Sequence, residues 1–188
     1  MAAAAVRICG YAIVSADGMI ADGAGRMPPA LIVEADQLFF RASLAAARIV
    51  VHGRHSAEGG PAADGRPRIF VTRTVAVFSI VRAEPAIVRW NPLGMPFTAV
   101  LEALGIDDGI VAVVGGTDVF DLFLGIGYDA FYLSRDLAAR LPGGRPLFRA
   151  VPERSPEDLL SGAGLRPRGE RLLEPGLTLA TWERTPLP

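Results

Sequence analysis

Six short runs dominate the chain: Val6 to Val14, Arg48 to Val51, Arg68 to Val71, Ala86 to Trp90, Gly109 to Val114 and Ala130 to Leu133. Each is rich in Val, Ile and aromatic residues and is bounded by Gly, Pro or polar turns, the pattern of β-strands. The runs are apolar throughout rather than alternating, which predicts strands covered on both faces. Helical spacing of Ala, Leu and Phe fills Ala30 to Ala46. Shorter helices are predicted over Phe97 to Leu104, with Pro96 allowed in the first turn, and over Thr117 to Leu124, with Thr117 as a possible cap. Strands alternating with helices imply an α/β domain built on a mainly parallel sheet. Gly169 to Leu173 and Leu177 to Arg184 flank Glu174-Pro175-Gly176 and read as a closing antiparallel hairpin. The Pro/Gly/Arg-rich stretch from Leu141 to Pro167 reads as a long surface connection, with one helical turn near Pro156 to Leu160.

Composition narrows the function. With 188 residues, 51% of them hydrophobic, the chain can build one sizeable core, and a single domain over 1–188 is expected. The net charge of −1 argues against a nucleic-acid binder, which needs a basic surplus. All 19 basic residues are Arg, so no mechanism here uses a Schiff-base or phosphate-loop lysine. Cys9 is the single cysteine and His52 and His55 are the two histidines, so no metal site is expected. No apolar segment approaches membrane-spanning length, and the N-terminus lacks the pattern of a signal peptide; a soluble cytoplasmic protein is the expectation.

Three turns carry the candidate chemistry. Val114-Gly115-Gly116-Thr117 joins a strand to a helix, where glycine lets backbone approach a ligand and the helix N-terminus favours phosphate. On its own a Gly-Gly pair is more often an ordinary tight turn. Gly53-Arg54-His55-Ser56 follows another strand and offers a planar donor fork and a hydroxyl; a solvated surface turn reads equally well. Thr72-Arg73-Thr74 follows a third strand, within a window from Gly65 to Ala83 that holds Arg66, Arg68, Arg73 and Arg82 and no acid. Three such turns after separate strands point jointly to a nucleotide, because strand ends of open α/β sheets are where nucleotides bind. Glu34 and Asp36 lie amid Ile32, Val33, Leu38, Phe39 and Phe40. Whichever faces inward would have a raised pKa and could deliver a proton near neutral pH; the commoner fate of an acid is the wet face. Asp17 reads as a turn residue and His52 as structural.

These motifs, in this order over Val6 to Arg184, resemble the dihydrofolate reductase superfamily, which includes the reductase domain of riboflavin biosynthesis. Tyr11 to Asp22, with Ser15-Ala16-Asp17-Gly18, resembles the first strand and the start of a mobile substrate loop that ends at Met27-Pro28. Asp36 with Phe40 resembles the acid and aromatic of the first helix. Gly53-Arg54-His55-Ser56, Gly65-Arg66 leading to Thr72-Arg73, Gly115-Gly116 with Phe120, Phe131-Tyr132-Leu133-Ser134 and Thr181-Trp182-Glu183-Arg184 are similar to its later landmarks. The resemblance implies a central sheet with flanking helices and NADPH across the strand ends. It implies that Gly53, Arg54, His55, Ser56, Thr72 and Arg73 hold cofactor phosphates, and that Val114, Gly115, Gly116, Thr117, Asp118, Val119 and Phe120 line pyrophosphate and nicotinamide. On the substrate side it implies Asp36, or Glu34 in its place, with Ser134 at the amino-pyrimidine edge of a pterin. Met19, Ile20 and Phe40 would stand against the ring, and Arg66 would meet a carboxylate tail.

The implied activity is hydride transfer from NADPH to a C=N bond of a dihydropterin, dihydrofolate or dihydromethanopterin. Its rivals are reduction of a ribosylaminopyrimidine and nucleotide binding without turnover. The chain departs from the family's usual residues on the substrate side. Pro29 stands for a Trp, Phe120 for a Tyr and Ala57 for an aromatic, and the spacing from Met27-Pro28 to Asp36 is longer, which is why Glu34 competes. Gly-Arg-His-Ser stands where the riboflavin branch has a Gly-x-Gly-Thr turn. The apolar composition and closing hairpin permit a homodimer, which related bacterial reductase-like proteins often form.

Overall fold

A computed structural model describes residues 5–53, 67–82 and 85–185. In chain order the elements are β1 (Val6–Ser15), β2 (Met19–Ala21), a 3-10 turn (Pro29–Leu31), α1 (Glu34–Ala45), β3 (Ala47–Gly53), β4 (Arg68–Val71), β5 (Phe78–Arg82) and β6 (Ile87–Trp90). Then come α2 (Phe97–Ala103), β7 (Gly109–Val113), α3 (Thr117–Ile126), β8 (Ala130–Asp136), β9 (Arg145–Pro146), α4 (Pro156–Gly162), β10 (Leu165–Glu174) and β11 (Leu177–Arg184). The main sheet has the order β10-β11-β8-β1-β7-β3-β4-β6-β5. The run from β8 to β6 is parallel, while β11, β10 and β5 add antiparallel partners at its margins. The fold is thus mixed α/β with a mostly parallel centre and a C-terminal antiparallel strand pair.

Alternation along the strands sorts side chains to two faces. Val14, Ile49, Val51, Val111, Val113, Phe131 and Leu133 join one core with α2, α3 and α4, through Phe97, Val100, Phe120, Phe123, Leu159 and Leu160. Their strand neighbours Cys9, Tyr11, Val50, Ala112 and Ala130 face the other way and pack with Leu44, Phe39 and Phe40 of α1. Both faces are therefore apolar, which explains the unbroken hydrophobic runs in the sequence. No helix of the described residues is long and apolar enough to cross a membrane.

Several expectations shift. The helix predicted from Ala30 begins at Glu34, because the chain from Pro28 makes a single 3-10 turn and then runs extended at Val33 (φ −100°, ψ 129°). The stretch from Leu141 to Pro167 holds the expected helical turn as α4, capped by the Ser155 hydroxyl accepting from the Asp158 N–H, but it also contains β9, which pairs with β2. Arg68, counted in the Arg-rich window, is buried in β4.

His52 is fully buried in β3. Its Nδ1 donates to the Gly53 carbonyl at 3.0 Å and its ring meets Phe70 edge-on, while Nε2 has no hydrogen-bond partner among the described residues. Burial pulls its pKa below the ordinary 6.5, and the nearby Arg68 charge adds to the depression against the Gly53 bond. The folded state thus favours neutral imidazole. The stability this carries is complete above about pH 6.5 and is lost as the pH falls through the range between unfolded and folded values. Thermal midpoints between pH 7.5 and 5 are expected to fall more for the wild type than for His52→Phe; equal declines would remove His52 as the cause.

Candidate active site

Because β1, β7, β3 and β4 run parallel, their C-terminal ends open along one edge of the sheet, and the loops that follow them converge there. The ends of β3 and β7 are tied directly. Val114 N–H donates to the Val51 carbonyl at 3.0 Å, and Gly53 N–H donates to the Gly115 carbonyl at 2.9 Å. A Cβ on Gly53 would come within 3.5 Å of Val119 and 4.0 Å of the Gly116 nitrogen, so the two glycine turns sit against each other. Gly115 adopts φ +111°, and its peptide to Gly116 is cis. A Cβ at Gly116 would meet nothing within 4 Å among the described residues. Thr72, after β4, is held by its N–H to the Trp90 carbonyl at 2.9 Å, and its hydroxyl accepts from the Thr74 N–H; Arg73 is exposed beside it. Arg54, His55, Ser56 and Arg66 lie outside the described residues.

The acid sits on the α1 face. Asp36 is 6% exposed and Ser134 on β8 is 1% exposed, and the Ser134 hydroxyl lies close enough to the Asp36 carboxyl to favour its charged form. Burial raises the Asp36 pKa and the serine opposes the rise only in part. Glu34 is exposed at the start of α1. Phe40, one turn beyond Asp36, is half-buried against the cluster that includes Val114, the residue leading into the Gly-Gly turn. The buried carboxyl and the glycine turns therefore lie at the same sheet edge, linked through α1 and β7.

Other predicted residues are placed differently from a ligand-lining role. Met19 is buried in the core of α2, α3 and α4, and Ile20 packs against that core. Phe120 is 2% exposed, its ring against Gly115, Phe131 and Phe148, and Val119 is buried too. A tyrosine hydroxyl at position 120 would have to find a partner in that apolar setting. The Thr117 hydroxyl is engaged with the Pro146 carbonyl at 2.5 Å, and Asp118 is paired with Arg149. The sequence reading missed this last contact, because Arg149 sat in a segment read as plain connection. No group of three or more metal-ligating side chains occurs among the described residues. A separate cleft of about 500 Å³ opens beside Arg135, Arg154 and Glu157, next to the turn at Asp17 and Gly18. Arg135 projects to the face of Leu133, opposite Ser134.

No protein-family model matches the chain, and no curated protein matches it. Solved structures do. A protein from Shewanella sp. PV-4 named for riboflavin biosynthesis aligns with TM-score 0.65 and 19% identity, over 96% of this chain and 99% of that one. A diaminohydroxyphosphoribosylaminopyrimidine deaminase/5-amino-6-(5-phosphoribosylamino)uracil reductase from Thermotoga maritima aligns with TM-score 0.67 and 15% identity, over 96% of this chain and 57% of its own. Dihydrofolate reductase from Enterococcus faecalis, complexed with NADP(H) and RAB-propyl, aligns with TM-score 0.63 and 14% identity, over 96% and 97%. The chain has the dihydrofolate reductase-like fold.

At Gly115 both backbone and space exclude a side chain: φ is +111°, and a Cβ would lie 2.8 Å from the Phe120 ring. Gly115→Ala is expected to cost about 1–3 kcal/mol in denaturant unfolding. An unchanged midpoint would mean that the turn relaxes freely.

Proposed function

We propose that this chain is an NADPH-dependent reductase of a dihydropterin, delivering hydride to a C=N bond. The observation that carries the reading is the buried Asp36–Ser134 pair, at the same strand-end edge as the glycine turns. Similarity of fold to a dihydrofolate reductase complexed with NADP(H) supports the cofactor. The residues here fit such a cofactor: among the described residues nothing would meet a Cβ at Gly116, and Gly53 and Gly115 bring two strand ends into backbone contact. Gly53, Thr72, Arg73, Gly115 and Gly116 would hold it, with Arg54, His55 and Ser56 as further candidates outside the described residues. When bound, NADPH supplies the hydride.

The protein's own part is orientation and proton supply. Asp36, desolvated on α1 and steadied by Ser134, would bind the amino-pyrimidine edge of the substrate and keep a proton available to the ring nitrogen, directly or through water. Phe40 would wall the ring, and Arg66 would meet a carboxylate tail. Docking of β2 on β9 brings the segment after β1 close to α3, where it would help to exclude water. The second reading is reduction of a ribosylaminopyrimidine. The Ser15-Ala16-Asp17-Gly18 turn favours it, since it resembles the Ser-x-Asp-Gly start of the riboflavin-pathway reductases.

The test is oxidation of NADPH, followed at the nicotinamide absorbance, with dihydrofolate, dihydromethanopterin or the aminopyrimidine as substrate. Oxidation dependent on a pterin is expected; tight NADPH binding with no pterin turnover would sink the assignment. Asp36→Asn is expected to lower kcat roughly 10²- to 10⁴-fold, with NADPH affinity held within about twofold, as a proton-supplying role outside the cofactor cradle requires. The wild-type rate should fall as pH rises through the elevated Asp36 pKa, because the protonated form is the working one. Unchanged turnover in Asp36→Asn would remove the residue from the mechanism.

A further inference from the structure

The N-terminal end of α3 carries a carboxylate of the wrong sign for its proposed ligand. Asp118 lies in the first turn, and Asp121 follows close behind on the same helix. A helix N-terminus attracts anions, but an uncovered carboxylate there competes with a phosphate for the same field. Arg149, from the connection between β9 and α4, covers both acids. Its Nη2 and Nε lie 2.6 and 3.1 Å from Asp118 Oδ1, and Nε lies 3.6 Å from Asp121 Oδ2. Its position is set by backbone as well as by charge. The Arg149 N–H donates to both Asp121 carboxylate oxygens at 3.2 and 3.3 Å, and three residues earlier the Pro146 carbonyl takes the Thr117 hydroxyl.

We propose that Arg149 is a positioning residue of the cofactor site: it offsets part of the negative charge of Asp118 and Asp121, most directly that of Asp118, and so keeps the α3 N-terminus receptive to a diphosphate. The inference rests on the cofactor reading above. Both members of the Arg149–Asp118 pair are more than half exposed, so the pair adds little to folding stability. Its consequence is local: with Arg149 gone, Asp118 faces the incoming anion alone, through solvent that salt can screen.

NADPH affinity is measured by fluorescence titration at low and at ~0.5 M salt, for wild type, Arg149→Gln, Arg149→Lys, Asp118→Asn and the Arg149→Gln/Asp118→Asn double variant. Melting curves confirm that each is folded. Arg149→Gln is expected to weaken binding about five- to tenfold at low salt, with the loss shrinking at high salt. Arg149→Lys, which keeps the charge, should stay within about twofold of wild type, and Asp118→Asn alone should bind at least as tightly. The double variant should return to within about twofold of Asp118→Asn. A double variant as weak as Arg149→Gln would overturn the proposal, because Arg149 would then act by tethering its loop. Wild-type affinity in Arg149→Gln would overturn it as well. Absence of NADPH binding in the wild type would instead sink the cofactor reading on which it stands.

Discussion

The backbone bond between Gly53 and Gly115 is the contact on which the site depends. It joins the ends of two neighbouring parallel strands, just where each chain leaves the sheet. Glycine on both sides lets the strands end in contact, with Val119 against Gly53 and the Phe120 ring against Gly115. The start of α3 follows directly, so the same junction aims the helix N-terminus along the sheet edge. A Cβ on Gly53 would make only ordinary contact with Val119, whereas one on Gly115 would meet the Phe120 ring at 2.8 Å in a left-handed backbone, so the turn into α3 is sensitive at Gly115.

The second constraint is burial on both faces of the sheet. With apolar clusters above and below, polar groups are confined to strand ends or must be paired inside. Asp36 and Ser134 answer this by lying beside one another at the edge of the α1 layer, where the serine hydroxyl favours the charged carboxyl. The α1 layer and the α3 layer lie on opposite faces, so the proposed proton supply and the glycine turns come from different sides of one sheet and meet only at its edge. That separation makes a substitution in one distinguishable from a substitution in the other.

Much of the fold was legible in the sequence because unbroken Val and Ile runs can satisfy only strands covered twice. Asp36 was legible as one of two acids on an apolar helix; the choice was not, because helix phase depends on where α1 begins. Pro28 and Pro29 delay that start to Glu34, which leaves Glu34 at the exposed end and turns Asp36 inward. β9 went unseen because two residues carry too little periodicity, and β5 because Phe78–Arg82 fell inside the stretch read as an Arg-rich window. The tethering of Thr117 and Asp118 was hidden for another reason. Their partners, Pro146 and Arg149, lie about thirty residues on, and only the docking of β9 on β2 brings them near.

The central claim is that a dinucleotide sits on the strand-end edge formed by Gly53, Thr72 and the start of α3. Mapping backbone amide chemical shifts during titration with NADPH tests it most directly. The account predicts the largest changes at Gly53, Thr72, Arg73, Gly116 and Thr117, with small ones across β10 and β11. Changes centred instead on the separate cleft at Arg135, Arg154 and Glu157 would contradict it.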